Sequence, residues 1–235
     1  MSAASQLTLG LGLPPAMGRE DFVVGDCNRE ALLAIDAWPN WSNGILFLAG
    51  PKGSGKTHLT RIWAEATGAP ILSAAELSEH DWTRLVAAGS IAVEDIDTAS
   101  VSASSLFHLV NEVRSHNGSL LVTAREPDPT RWTDLADLVS RLRSAHPALL
   151  HDPDDGFLEQ VLVKLFADRQ LGVTPALLEY LLRRTERSFA AVARVVDRID
   201  QLALSTGRSP SRQLAAEVLA DEPGFAGDAP AFEAK

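Results

Sequence analysis

The sequence predicts an α/β protein: a parallel sheet with helices on both faces, followed by a small α-helical domain. Three observations point there. Short apolar runs alternate with helix-period patterns from residue 19 to about 150, a phosphate-type glycine loop sits between the first run and a helix, and strand signals stop near residue 154. Runs that are apolar throughout, rather than on alternate residues, suit strands covered on both faces. Ligands of such sheets bind beyond the carboxyl ends of the strands.

The predicted strands are residues 45–48, 70–72, 90–93, 119–123 and a weaker run at 148–150. Between them Leu59, Ile62 and Trp63 recur at helical spacing, as do Leu106, Phe107, Leu109, Val110 and Val113. Beyond residue 154, Leu177, Leu178, Leu181 and Leu182 form one helical stripe and Val192, Val195, Val196, Ile199 and Leu202 another. Thr174 before Pro175, Ser188, and Ser209 before Pro210 read as helix N-caps, predicting a bundle of three or four helices. The expected organisation is an extended tail (1–18), a nucleotide-binding core (19–152), a helical lid (153–221) and a fraying acidic tail (222–235).

Composition narrows the function classes. Of 235 residues, 46% are hydrophobic, enough for an ordinary core, and the formal charge of −10 argues against a globally basic DNA-wrapping surface. A single cysteine, Cys27, provides no internal disulfide, and six scattered histidines without HExxH spacing make no protein metal cage. The first eighteen residues lack Lys and Arg, unlike a secretory signal, and no apolar run approaches the roughly 18 residues of a membrane span. A soluble cytoplasmic protein is expected.

Gly50-Pro51-Lys52-Gly53-Ser54-Gly55-Lys56-Thr57 matches G-x-x-x-x-G-K-[ST] in the required setting, after a strand and before an amphipathic helix. Glycines let the backbone curl its N–H groups toward phosphate oxygens, and the helix N-terminus adds partial positive charge. Lys56 would reach the β- and γ-phosphates of ADP or ATP, and Thr57 would offer its hydroxyl to Mg²⁺. A second element follows the run at 90–93: Glu94-Asp95-Ile96-Asp97, acids at the end of a buried strand. Glu94 would orient the metal's water shell and Asp95 would polarise an attacking water.

These residues resemble the DnaA family of AAA+ replication proteins, and within it the short regulatory branch of the Hda (HdaA) type. Phe22-Val23-Val24-Gly25 with Asn28 and Ala31 is similar to the family's F-V-x-G-x-x-N-x-x-A segment, which packs beside the adenine. Gly55-Lys56-Thr57-His58-Leu59 resembles its phosphate loop, Thr123 falls in its sensor-1 region, and Leu138-Val139-Ser140-Arg141-Leu142 resembles the L-x-S-R-[FL] box carrying an arginine finger. Gln6-Leu7-Thr8-Leu9-Gly10-Leu11 is similar to the Q-L-[ST]-L-x-L peptide that docks on the bacterial sliding clamp. Burying two or three leucines there would contribute about 1.5–3 kcal/mol each before ordering costs. The likeness runs from about residue 21 to 221, with no counterpart of the family's helix-turn-helix domain.

The resemblance implies a P-loop AAA+ core with a helical lid, and ADP or ATP with Mg²⁺ as ligands. The implied partners are the DNA polymerase III β sliding clamp and DnaA, with DNA reached indirectly through the clamp, possible homo-oligomers, and no membrane. Arg141, with Arg143 as the nearby alternative, would act on nucleotide bound to DnaA. Three positions depart from the pattern. Arg125 stands where an acid is expected, Ala190 where the lid's arginine falls (Arg187 and Arg194 lie about a turn away), and Glu94 where Asp is usual. They imply tight nucleotide binding with weak hydrolysis by this chain alone. An autonomous ATPase that loads or remodels a replication component is the second reading.

Overall fold

The computed structural model describes residues 18–77, 86, 89–98 and 102–220. The predicted clamp-docking residues Gln6, Leu7, Leu9 and Leu11, and the acidic tail, lie outside the described residues. The chain divides into two compact units, with the break between Pro153 and Asp154.

The first unit holds five strands: β1 (Ile45–Ala49), β2 (Ile71–Ser73), β3 (Ser90–Glu94), β4 (Ser119–Ala124) and β5 (His146–Leu149). They form one parallel sheet in the order β2-β3-β4-β1-β5. The helices α1 (Arg29–Asp36), α2 (Lys56–Thr67), α3 (Ala103–Ser115) and α4 (Ala136–Arg143) accompany them. Because side chains alternate along a strand, Ile45, Phe47 and Ala49 pack with Leu106, Leu109 and Val110 of α3 and with Leu138 and Leu142 of α4. Leu46 and Leu48 face the other way, onto Ala31 and Ile35 of α1 and Leu59, Ile62 and Trp63 of α2. This double cover explains why β1, β3 and β4 read as unbroken apolar runs.

The edge strands depart from expectation. The fifth strand begins at His146 rather than 148, running through Pro147, whose missing N–H is tolerated at a sheet edge. Leu150 has left the strand, although its N–H still donates to the Ala49 carbonyl at 2.8 Å. The second strand starts at Ile71, one residue late, and its side chains are exposed or half-buried. The third strand extends to Glu94, so that acid is strand rather than loop.

In the second unit α5 (Asp155–Asp168), α6 (Pro175–Arg184), α7 (Phe189–Thr206) and α8 (Arg212–Ala220) pack around Phe166, Leu181, Val196, Ile199 and Leu214, none more than marginally exposed. Thr174 and Ser188 are N-caps, their hydroxyls accepting from Leu177 N–H (3.3 Å) and Ala191 N–H (3.2 Å). The last helix is a correction: it opens at Arg212, capped by Ser211 rather than Ser209, because Leu214, Ala215, Val218 and Leu219 must face inward and Ser211 Oγ reaches Leu214 N–H at 3.2 Å. No helix among the described residues is long and apolar enough to cross a membrane.

Candidate functional site

The glycine loop joins β1 to α2 under tight constraint. Gly50 N–H donates to the Ala124 carbonyl at 3.1 Å, and a Cβ at Gly50 would lie 2.7 Å from both Cβ and the carbonyl oxygen of Leu150. Gly53 and Gly55 have φ of 78° and 104°, left-handed values that side-chain-bearing residues resist. Gly55 thereby opens α2 with its first N–H groups turned into the loop. Pro51 closes a turn with Ser54 N–H (3.3 Å), Lys52 is exposed, and Ser54 Oγ is buried without a hydrogen-bond partner.

Lys56 is buried, and its Nζ donates to the carbonyls of Gly50 (2.7 Å) and Pro51 (2.8 Å). Burial lowers its pKa, with Asp95 opposing and Arg125 reinforcing that shift. Opposite stands Glu94, whose carboxyl is pushed above the ordinary glutamate range chiefly by burial, against a hydrogen bond from Thr57. Glu94 Oε1 is buried with no partner. The predicted pair Thr57 and Glu94, 37 residues apart in the chain, is therefore joined.

The next residues interlock with the end of β4. Asp95 takes a positive φ of 57°, its N–H donates to Thr123 Oγ1 at 3.0 Å, and Ile96 N–H donates to the Thr123 carbonyl at 2.9 Å. Thr123, only 1% exposed, thus fixes the backbone of the acid predicted to polarise water. Sequence reasoning missed Asp97. Its Oδ2 accepts the N–H groups of both Arg125 (2.8 Å) and Glu126 (3.0 Å), tying the loop after β4 to the loop after β3, while Oδ1 is buried and unpartnered. The legible signal was a third acid two positions after Asp95, separated by buried Ile96.

Phe22 also reaches the loop: its ring lies 3.6 Å from where a Gly55 Cβ would stand and meets the His58 ring edge-on at 5.1 Å. His58 is buried, with Nε2 3.0 Å from the Gly18 carbonyl. Asn28 folds the segment back, accepting from Gly25 N–H and donating to the Val23 carbonyl, both at 2.9 Å. Val23 is half-buried and Val24 exposed.

Arg141 stands apart in the last turn of α4, half-buried, with no ion pair among the described residues, while Leu138 and Leu142 anchor the helix in the core. Arg143 is engaged with Asp128 at 3.2 Å. In the second unit Arg187 pairs with Asp155 at 3.1 Å, and Arg194 is exposed.

The residues fit a nucleoside phosphate. The loop leaves no room for a Cβ at Gly50, a buried ammonium faces inward carbonyls, and Ser54 Oγ and Glu94 Oε1 are buried polar groups without partners. Among the described residues no cluster of His, Cys, Asp and Glu makes a metal site by itself, so a divalent ion here would be shared between Thr57, Glu94 and phosphate oxygens.

A five-stranded parallel sheet in this order, with a glycine loop after β1 and acids closing β3, is the P-loop AAA+ fold. Solved structures similar to it include domain III of the replication initiation protein DnaA from Thermotoga maritima, with a TM-score of 0.71 and 20% identity over 89% of this chain and 98% of that one. AMPPCP-bound DnaA from Aquifex aeolicus gives 0.65 and 19%, covering 83% of this chain and 67% of that one. The RuvB Holliday junction branch migration motor of Thermotoga maritima gives 0.65 and 15%, covering 87% and 72%. At such identities the likeness is one of fold. No family profile matches the chain, and no curated protein matches it in sequence.

Proposed function

We propose that this chain is a nucleotide-binding AAA+ adaptor of the Hda type, which docks through residues 6–11 on the sliding clamp and promotes hydrolysis of DnaA-bound ATP. The observation that carries this reading is Arg141: a half-buried guanidinium with no ion pair among the described residues, on a helix anchored by Leu138 and Leu142, in a chain whose fold spans nearly all of DnaA domain III. Backbone N–H groups of the loop after Pro51, with Lys56, hold the phosphates of ADP or ATP, Phe22, Val23, Val24 and His58 flank the nucleoside, and Thr57 with Glu94 holds Mg²⁺. The metal supplies positive charge to phosphate oxygens. Asp95, whose N–H is held by Thr123 Oγ1, orients water in this reading, and Glu94 in place of Asp keeps turnover by this chain slow. Arg141, inserted into the triphosphate site of a neighbouring DnaA subunit, neutralises charge developing on the transferred phosphoryl group, an effect worth about 10³–10⁵ in rate. Clamp docking raises the local concentration of that arginine near DNA-loaded clamps.

The test follows DnaA-bound ATP over time with clamp, DNA and this chain, omitting each in turn. Arg141→Ala should abolish the stimulation, and Gln6→Ala with Leu9→Ala should reproduce omission of the clamp. Full stimulation by Arg141→Ala would refute the mechanism. Fast ATP turnover by the isolated chain would instead favour the second reading, an autonomous motor.

A further inference from the structure

The helical unit carries a cluster of arginines beyond the residues assigned to the phosphate loop. Between residues 183 and 212 the chain has seven arginines, three acids and no lysine, although the whole protein is acidic at −10. Most of the acids nearby are spent on particular arginines: Glu179 holds Arg183 (2.6 Å), Asp155 holds Arg187 (3.1 Å) and Glu217 holds Arg208 (2.8 Å). Arg184 and Arg212 receive none; both are exposed and neither has an ion pair among the described residues. Instead both guanidiniums sit on one ring. Arg184 Cζ lies 4.4 Å and Arg212 Cζ 5.2 Å from the centroid of Tyr180, the only tyrosine in the chain, where α6 and α8 pack together.

The placement of Arg212 runs against the helix dipole: this cation is the first residue of α8, whose opening turn contains no acid. Stability alone would favour Asp or Glu at that position. Stacking on Tyr180 limits the rotamers of both guanidiniums before any ligand arrives, which reduces the ordering cost of binding. Two preorganised, weakly hydrated forks, uncompensated by acid and turned to solvent, match the oxygens of a polyanion spaced along a chain.

We infer that Arg184, Tyr180 and Arg212 form a contact site for the phosphodiester backbone of nucleic acid on the helical unit, built from residues other than those of the phosphate loop. Contacts of this kind fix position without reading sequence, and each neutralised phosphate adds to the salt dependence of binding.

The test is fluorescence anisotropy of a labelled DNA oligonucleotide with the full chain at low and moderate salt. Wild-type protein should bind with an affinity that falls steeply as salt rises, and Arg184→Glu with Arg212→Glu should weaken binding at least tenfold. Arg29→Glu with Arg131→Glu, which changes net charge equally on exposed positions of the first unit, should cost less than threefold. Saturating ADP should not displace the oligonucleotide, which keeps this site distinguishable from the phosphate loop. Tyr180→Leu keeps the bundle's apolar contact but removes the platform, and should cost several-fold. Absence of binding by the wild type, equal losses in the two double variants, displacement of the oligonucleotide by ADP, or equally effective displacement by polyglutamate would each overturn the inference.

Discussion

In the α/β unit Ser54 Oγ, Glu94 Oε1 and Asp97 Oδ1 are buried beyond strand ends with no hydrogen-bond partner, whereas each helix of the second unit opens on a side chain that accepts a backbone N–H. Asp154, Thr174, Ser188 and Ser211 do this for α5 to α8, while in the first unit α2 opens on Gly55 with no side-chain cap. A cap contributes about 1 kcal/mol and an orphaned buried polar group costs about 1–3. The first unit therefore forgoes stability where its loops converge, and the second does so at the Arg212 helix start and at Thr185, whose Oγ1 is buried without a partner. Departures from the stabilising choice are physical signposts to sites.

The largest effects should come from the two cores. Trp63 (1% exposed, packed on Trp41) and Phe166 (0% exposed) anchor the separate units, and replacing either by Ala should cost about 3–5 kcal/mol in urea unfolding. The contrast lies in binding. Trp63→Ala, on the helix that follows the phosphate loop, should weaken nucleotide binding more than Phe166→Ala does. The reverse order would move the site out of the first unit. Gly50→Ala should come next. Its Cβ meets Leu150 at Cβ and at the backbone carbonyl, so side-chain rotation gives no relief, and about 1–3 kcal/mol should be lost together with loop geometry.

The smallest effect concerns the sign of a carboxylate's contribution. The folded chain holds the Glu94 proton more tightly than the unfolded chain does, chiefly because burial disfavours the charge. The ionised group thus opposes folding above its folded-state pKa, and the opposition disappears as pH falls below the ordinary value of 4.5. Glu94→Gln should therefore raise the Tm by about 1–3 °C at pH 7.5 and leave it unchanged near pH 4, measured without nucleotide. A gain that grows with acidity would invert this assignment.

Legibility followed burial. Strands β1, β3 and β4 were readable because both faces are covered and every residue is apolar, while β5 begins with His146-Pro147 and β2 is three largely exposed residues at the other edge. The glycine loop was legible because its chemistry is local in sequence. The Asp97 link to Arg125 and Glu126 was not, since it spans 28 residues and exists only once β3 and β4 pair. Ser209-Pro210 misled because the cap is set by the phase of the buried leucine stripe, which favours Ser211. Arg141 has no local signal beyond its motif; its half-exposure, and the lack of an ion pair to it among the described residues, emerge only when α4 is packed.

Calorimetric titration with ADP and with AMPPCP of the wild-type chain and of Lys56→Ala is the most direct measurement. Wild-type protein should bind both nucleotides, and loss of the Lys56 ammonium should weaken them about 10–100-fold, the worth of a charge-assisted contact of about 1.5–3 kcal/mol, without unfolding the chain. Equal affinity of wild type and Lys56→Ala would contradict the assignment of residues 50–57 as a nucleotide-phosphate site.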